Sequence, residues 1–217
     1  MTRRIFEHAF YNFEQLTATT IDGKRYYPLP DGTLAQSVTT RIGQVMDKTF
    51  LNEWRARIGE AEAQKITTQA ANRGTAFHNI CESYLMNEPN YPKGTMPSNI
   101  DSFKQIRPIL DKHIGKIFGI EAPLYSYNLK AAGRTDCIAE WDGVPTIVDF
   151  KTSKKTKKKE WIESYLLQAT CYALMTKELI DLDIQQFAII VSVDNDEPQL
   201  FVDSIASYVD KVREIFI

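Results

Sequence analysis

Apolar residues recur with two different periods along this chain, and the change falls near Gly119. Upstream the spacing is helical. Ser37 is placed to cap a helix running to about 48, Asn52 to open a second, and a third covers about 63–86. Asn87-Glu88-Pro89-Asn90-Tyr91-Pro92-Lys93-Gly94 then breaks the pattern with two prolines and a glycine. Ile100, Phe103, Ile106, Ile109 and Leu110 mark a helix over 98–114, with Pro108 as a kink point. Ahead of all these, Asp22-Gly23 and Asp31-Gly32 bracket a short strand-like segment. Downstream, 120–129, 131–141 and 144–150 are short strand-like runs, the last two separated by the turn pair Asp142-Gly143. A lysine-rich loop, a helix over 160–179, strands over 187–193 and 199–202, and a closing helix over 205–216 complete the order. The pattern predicts an α+β fold, a sheet with helices packed on its faces.

Composition narrows the class. The chain has 217 residues, 43% of them hydrophobic, with a net charge of −2, which suits a packed globular unit rather than disorder. No repeat, low-complexity tract or linker divides it, so 1–217 reads as one domain, mainly helical over 1–115 and sheet-bearing over 116–217. No apolar run approaches the ~18 residues that span a bilayer, so no membrane partner is expected. The basic start Met1-Thr2-Arg3-Arg4 lacks the apolar stretch of a secretory leader. Cys81, Cys137 and Cys171 are scattered singly, too few and too far apart for a disulfide framework. A reducing, cytoplasmic setting is the expectation.

The charge is unevenly spread. Six lysines (151, 154, 155, 157, 158, 159) fall within nine residues with no acid among them, and set against the net −2 they leave the rest of the chain at −8. Immediately before them, Val148-Asp149-Phe150-Lys151 alternates, so Asp149 and Lys151 share one side of a strand and the apolar pair the other. A hairpin at Asp142-Gly143 would set Asp136 beside Asp149. Two adjacent carboxylates repel unless a proton or a cation lies between them, and oxygen ligands at neutral pH suit Mg²⁺ or Mn²⁺. Gly133 would let a ligand backbone approach just ahead of Asp136. Gly74, His78 and Glu82 lie four apart, on one helix face. Gln168 and Tyr172 do the same on the helix after the lysines.

Taken in order, Gly-x-x-x-His, Gly-x-x-Asp, Asp-x-Lys and Gln-x-x-x-Tyr resemble the PD-(D/E)XK nuclease superfamily. The likeness is to its RecB-like exonuclease branch, which includes mitochondrial genome maintenance and tailed-phage exonucleases. It runs from about Arg25 to Ser192 and takes in Leu34-Ala35-Gln36-Ser37-Val38-Thr39-Thr40 and Leu51-Asn52-Glu53-Trp54-Arg55. It implies an α-β-β-β-α-β restriction-endonuclease-like core with a central mixed sheet and an N-terminal helical annex. It further implies that Asp136, Asp149, His78 and the Phe150 carbonyl ligate a catalytic Mg²⁺ or Mn²⁺, with Glu82 and Glu121 as outlying ligand candidates. Lys151 would orient or deprotonate the attacking water and offset transition-state charge. Gln168 and Tyr172 would hold the phosphate backbone or the nucleophile. Arg73, Arg134, Lys154, Lys155, Lys157, Lys158 and Lys159 would meet phosphates.

The implied activity is a metal-dependent DNA exonuclease acting on single-stranded ends and leaving 5′-phosphates, in recombination, repair or genome processing of a phage or bacterium. A monomer is expected, with a separate helicase, polymerase or recombinase as partner. Exposed Tyr26, Tyr27, Tyr125 and Tyr127 are candidates for base stacking. Some members of the branch hold an iron–sulfur cluster on four cysteines; three scattered ones imply none here. The chain has no G-x-x-x-x-G-K-[ST], so no nucleotide cofactor is expected, and no G-x-S-x-G or H-E-x-x-H. Two alternatives stay open at this point: a non-catalytic DNA-binding or recruitment protein on a nuclease fold, and a structure-specific endonuclease.

Overall fold

A computed structural model describes residues 3–89 and 95–217. The end of the predicted break, Asn90 to Gly94, and the first two residues of the basic start lie outside the described residues. In chain order the elements are β1 (Thr19–Ile21), β2 (Lys24–Pro28), β3 (Leu34–Ser37), α1 (Val38–Val45), α2 (Thr49–Ile58), α3 (Glu60–Leu85) and α4 (Pro97–His113). Then follow β4 (Ile114–Ser126), β5 (Ala131–Trp141), β6 (Val144–Ser153), α5 (Glu163–Ile180), β7 (Gln186–Val193), β8 (Gln199–Ser204) and α6 (Val209–Phe216). The fold is α+β, and the succession from α4 through β4, β5, β6 and α5 to β7 is the expected α-β-β-β-α-β core.

Local chemistry accounts for the turns. Asp142 and Gly143 both have positive φ, 52° and 83°, the geometry of a two-residue type I′ hairpin, and they join β5 to β6 antiparallel. Asp22-Gly23 does the same between β1 and β2, where the sequence suggested one strand between turns. Three of the eight strands among the described residues therefore belong to the first 115 residues. β4 also starts at Ile114, six residues before the predicted strand, its early part bulged against β5. α4 continues through Pro108. Ser37 precedes α1 as expected, but its hydroxyl meets Thr39 Oγ1 at 3.0 Å and makes no cap to the helix backbone.

The sheet runs β1-β2-β3-β5-β6-β7-β8, with β4 on β5's other edge. One face is packed by α5, α1 and α6 through Ile138, Ile147, Leu167 and Ile189; the other by α3 and α4 through Phe77, Ile106, Val148 and Phe150. Alternate residues of β6 feed the two cores, as its period-2 pattern requires.

The feature that positions the site is a fork. β4 follows β5 along its whole length, but the opposite edge of β5 is shared. β6 pairs with it from Cys137 to Trp141, and β3 joins it, parallel, only at Ala131 and Ala132. Between these two partners lie Gly133 to Asp136, where the ladder opens.

Candidate active site

Register brings three carboxylates into a row across the fork. Ile120 pairs with Cys137 and Ala122 with Thr135, so Glu121 of β4 stands opposite Asp136 of β5. Cys137 pairs with Val148, so Asp149 of β6 lies one step beyond, on Asp136's other side. Glu121 has a left-handed φ of 47°. This is uncommon for a residue with a long side chain, and such backbone persists where the surroundings hold it. Its effect is visible on either side: Ile120 packs on the α3/α4 core while Ala122 packs on the α5 core, breaking strand alternation.

Asp136 is the hub. Its Oδ2 accepts the backbone N–H of Phe150 at 2.7 Å, and its Oδ1 lies 3.2 Å from Nδ1 of His78, which α3 presents one turn after Gly74. Ligand atoms of His78, Glu121 and Asp136 all fall within 4.8 Å of one another. They line an open cleft of about 370 Å³ with Gly74, Thr75 and Asn79. Two carboxylates and an imidazole at that spacing fit a hard or borderline divalent cation. That group takes in Glu121, an outlying candidate from sequence alone, while Asp149 is not among its three residues. Glu82 lines the next cavity along, which it shares with Glu121.

Asp149 is only 3% exposed. Its Oδ1 accepts from the Lys151 ammonium at 2.7 Å. Oδ2 lies 2.5 Å from the same nitrogen but without an aligned hydrogen bond, and it is otherwise buried and unpartnered. Lys151 in turn sits over the ring of Tyr165 in α5, 5.0 Å from its centroid. The expected alternation holds: Asp149 and Lys151 point away from the core that takes Val148 and Phe150.

The crowding sets the protonation states. Burial pushes the Asp149 carboxyl up to about 6, Lys151 pulling against it and Asp136 adding to it. Burial, then Asp136, pushes Glu121 up to about 7. Burial also opposes the Asp136 charge, but the His78 hydrogen bond and the nearby cations outweigh it and hold that carboxyl below its ordinary value. His78 is the mirror case, raised by Asp136 against the effect of burial. Glu121, which holds its proton up to near neutral pH beside the ionised Asp136, is where a cation would take a proton's place.

On the α5 side, Tyr172 is buried and receives the Gln168 amide at 3.4 Å. What approaches Gly133 is this tyrosine: a Cβ there would lie 2.6 Å from the Tyr172 hydroxyl. Arg134 is exposed and leans on Glu121, with Nη1 3.8 Å from Oε2. Arg73 is held in a two-pronged pair with Asp194, one arm at 2.7 Å, tying α3 to the end of β7. Lys154, Lys155 and Lys158 are exposed, Lys157 is half-buried, and Lys159 pairs with Asp203 at 2.6 Å. Tyr27 and Tyr125 pack on a small cluster around Leu29, Tyr26 is half-buried, and Tyr127 is exposed.

An acid at the fork, an Asp-x-Lys on the neighbouring strand and a histidine on the helix behind them, carried on an α-β-β-β-α-β core, are the arrangement that the sequence resemblance to PD-(D/E)XK nucleases implies. No protein-family model matches the chain.

Among individual proteins it is similar to mitochondrial genome maintenance exonuclease 1. It is 30% identical to the Mus musculus protein over 128 residues, 56% of this chain and 38% of that one. The Homo sapiens protein is 28% identical over 134 residues, 56% of this chain and 37% of that one. The match thus spans well under half the length of these relatives. A solved structure from Eubacterium rectale, assigned provisionally as an exonuclease, overlaps at a TM-score of 0.40 and 11% identity, covering 66% of this chain and 67% of that one.

Proposed function

We propose that this chain is a Mg²⁺- or Mn²⁺-dependent deoxyribonuclease that trims single-stranded DNA from its ends. The observation that carries the reading is the convergence of His78, Glu121 and Asp136 in one open cleft, next to a lysine held by a buried aspartate. The exonuclease names of the relatives support the reaction class.

A divalent cation held by His78, Glu121 and Asp136 would supply Lewis-acid polarisation of the phosphate and of the attacking water. The chain's own groups do the rest. Lys151 places a fixed positive charge where negative charge accumulates on the phosphorane-like transition state, and Asp149 fixes the direction of its ammonium. Asp136 also anchors β6 through the Phe150 N–H, which ties the strand bearing Lys151 to the strand bearing the proposed ligand. Arg134 and the exposed lysines attract the phosphate backbone, a local run of positive charge on a chain whose net charge is −2. Tyr172, buried and with its ionisation pushed far up, acts as a neutral hydroxyl that orients Gln168 at the site's edge.

Linear and circular single strands of the same length, incubated with Mg²⁺ or Mn²⁺, test this. Loss of the linear strand alone is the expected result; cutting of the circle would make the chain an endonuclease, and no cutting with any divalent ion a binding protein.

A further inference from the structure

Trp161 is 63% exposed, whereas Ile162 beside it is fully buried and Trp141 is 2% exposed. An isolated surface apolar residue needs no explanation. Trp161 is different because the backbone on either side of it is anchored while its ring is exposed. Gln199 of β8 clamps the Lys157 backbone from both sides, accepting its N–H at 2.6 Å and donating to its carbonyl at 3.0 Å. Lys159 is pinned to Asp203, and the 3₁₀ turn Lys159–Ile162 plugs Ile162 into the core before running into α5. Amid these anchors the indole stands out from the lysine loop, with the Lys158 ammonium 5.5 Å from its centroid on one face.

The segment is continuous with the site. It starts at Lys151, and Tyr165, whose ring contacts Lys151, lies four residues after Trp161, about 6–8 Å along helical backbone. Trp161 is thus ten residues after Lys151 in the chain and about one turn before Tyr165, whose ring meets the Lys151 ammonium. Lys154, Lys155 and Lys158 offer charge complementary to phosphates, and an indole backed by a cation offers a flat face to a base.

We propose that Trp161 is a base-stacking platform for single-stranded nucleic acid, with Lys158 and Lys154 on the flanking phosphates. The proposal rests on the nuclease reading above and adds a binding site outside the catalytic group.

The test separates the two. Binding of a labelled oligo(dT) and of an abasic oligonucleotide of equal length is measured by anisotropy in EDTA, for wild type, Trp161→Ala, Trp161→Phe and Lys158→Ala. Trp161→Ala should weaken oligo(dT) about tenfold and leave the abasic strand unchanged; Trp161→Phe should keep most of the affinity. Lys158→Ala should weaken both strands alike. Equal losses on both strands in Trp161→Ala, or no loss on either, would overturn stacking, as would a change in sedimentation with binding unaltered, which would mark a self-association surface. Hydrolysis by the wild type, assayed separately with Mn²⁺, decides the nuclease reading. A wild type that cuts but stacks no base overturns only the platform, and one that neither cuts nor binds overturns both.

Discussion

The Asp136 carboxylate stands in for a missing strand partner of Phe150: its Oδ2 takes the Phe150 N–H at 2.7 Å where the β5–β6 ladder has opened. The carboxylate proposed to hold the cation and the strand pairing are therefore one structural feature. Asp136→Asn keeps an acceptor for that N–H, while Asp136→Ala leaves it buried and unpaired, which costs about 1–3 kcal/mol. The asparagine variant should be the more stable of the two by that order in urea unfolding, with both losing cation binding. Equal stabilities would mean that the Phe150 N–H finds another partner.

The pH dependence of the metal-free protein follows from Glu121. Its folded-state value of about 7 lies above the ordinary 4.5, so the folded chain holds this proton more tightly than the unfolded one. Stability is then lost as pH rises through that window, by roughly 2 kcal/mol after allowance for partial exposure. His78, raised as well, contributes in the same direction, its stabilisation fading as pH rises through its folded value. Asp136, held low, loses its contribution only in acid, below 3.8. Melting temperature against pH, with and without Mn²⁺, should show a larger metal-induced rise at pH 8 than at pH 6. Glu121→Gln should flatten the metal-free curve between 4.5 and 7 and shrink the metal-induced rise. A profile unchanged by Glu121→Gln would remove this residue from the site.

Lys151 and Asp149 form a nearly buried pair, with side chains 19% and 4% exposed. Lys151→Ala strands the carboxylate, a situation that costs about 3 kcal/mol when the charge remains. The Asp149 carboxyl, already pushed up to about 6 by burial, rises further without the ammonium and becomes neutral in mild acid. The variant should thus be markedly destabilised at pH 8 and nearly wild-type in stability at pH 5, and Lys151→Ala with Asp149→Asn should recover most of the loss at pH 8. A destabilisation independent of pH would assign the effect to lost packing.

Those parts of the site that depend on local periodicity were legible in the sequence. The Asp142-Gly143 hairpin, the shared side of Asp149 and Lys151 and the helix face carrying Gly74 and His78 each follow from spacing within a few residues. Glu121 was harder to place because its position depends on a left-handed backbone, which a glycine or asparagine would advertise and a glutamate does not. Long-range pairs were equally silent: Arg73 with Asp194, Lys159 with Asp203, Tyr172 over Gly133, and the parallel docking of β3 on β5 join residues 44 or more apart in most cases. Trp161 stood beside the lysine run in plain view, but nothing in its neighbourhood distinguished an exposed ring from a core one. Only the burial of Ile162 next to it separates the two.

The measurement that bears most directly on the central claim is digestion of a 5′-labelled linear single strand with Mn²⁺ by the wild type, Asp136→Asn, Glu121→Gln and Lys151→Ala, each checked for folding. The wild type should shorten the strand and stop when EDTA is added, and each variant should lose at least about a hundredfold in rate. Digestion that survives EDTA, or full activity in folded Asp136→Asn or Lys151→Ala, would contradict a divalent-cation nuclease centre built on the β5–β6 fork.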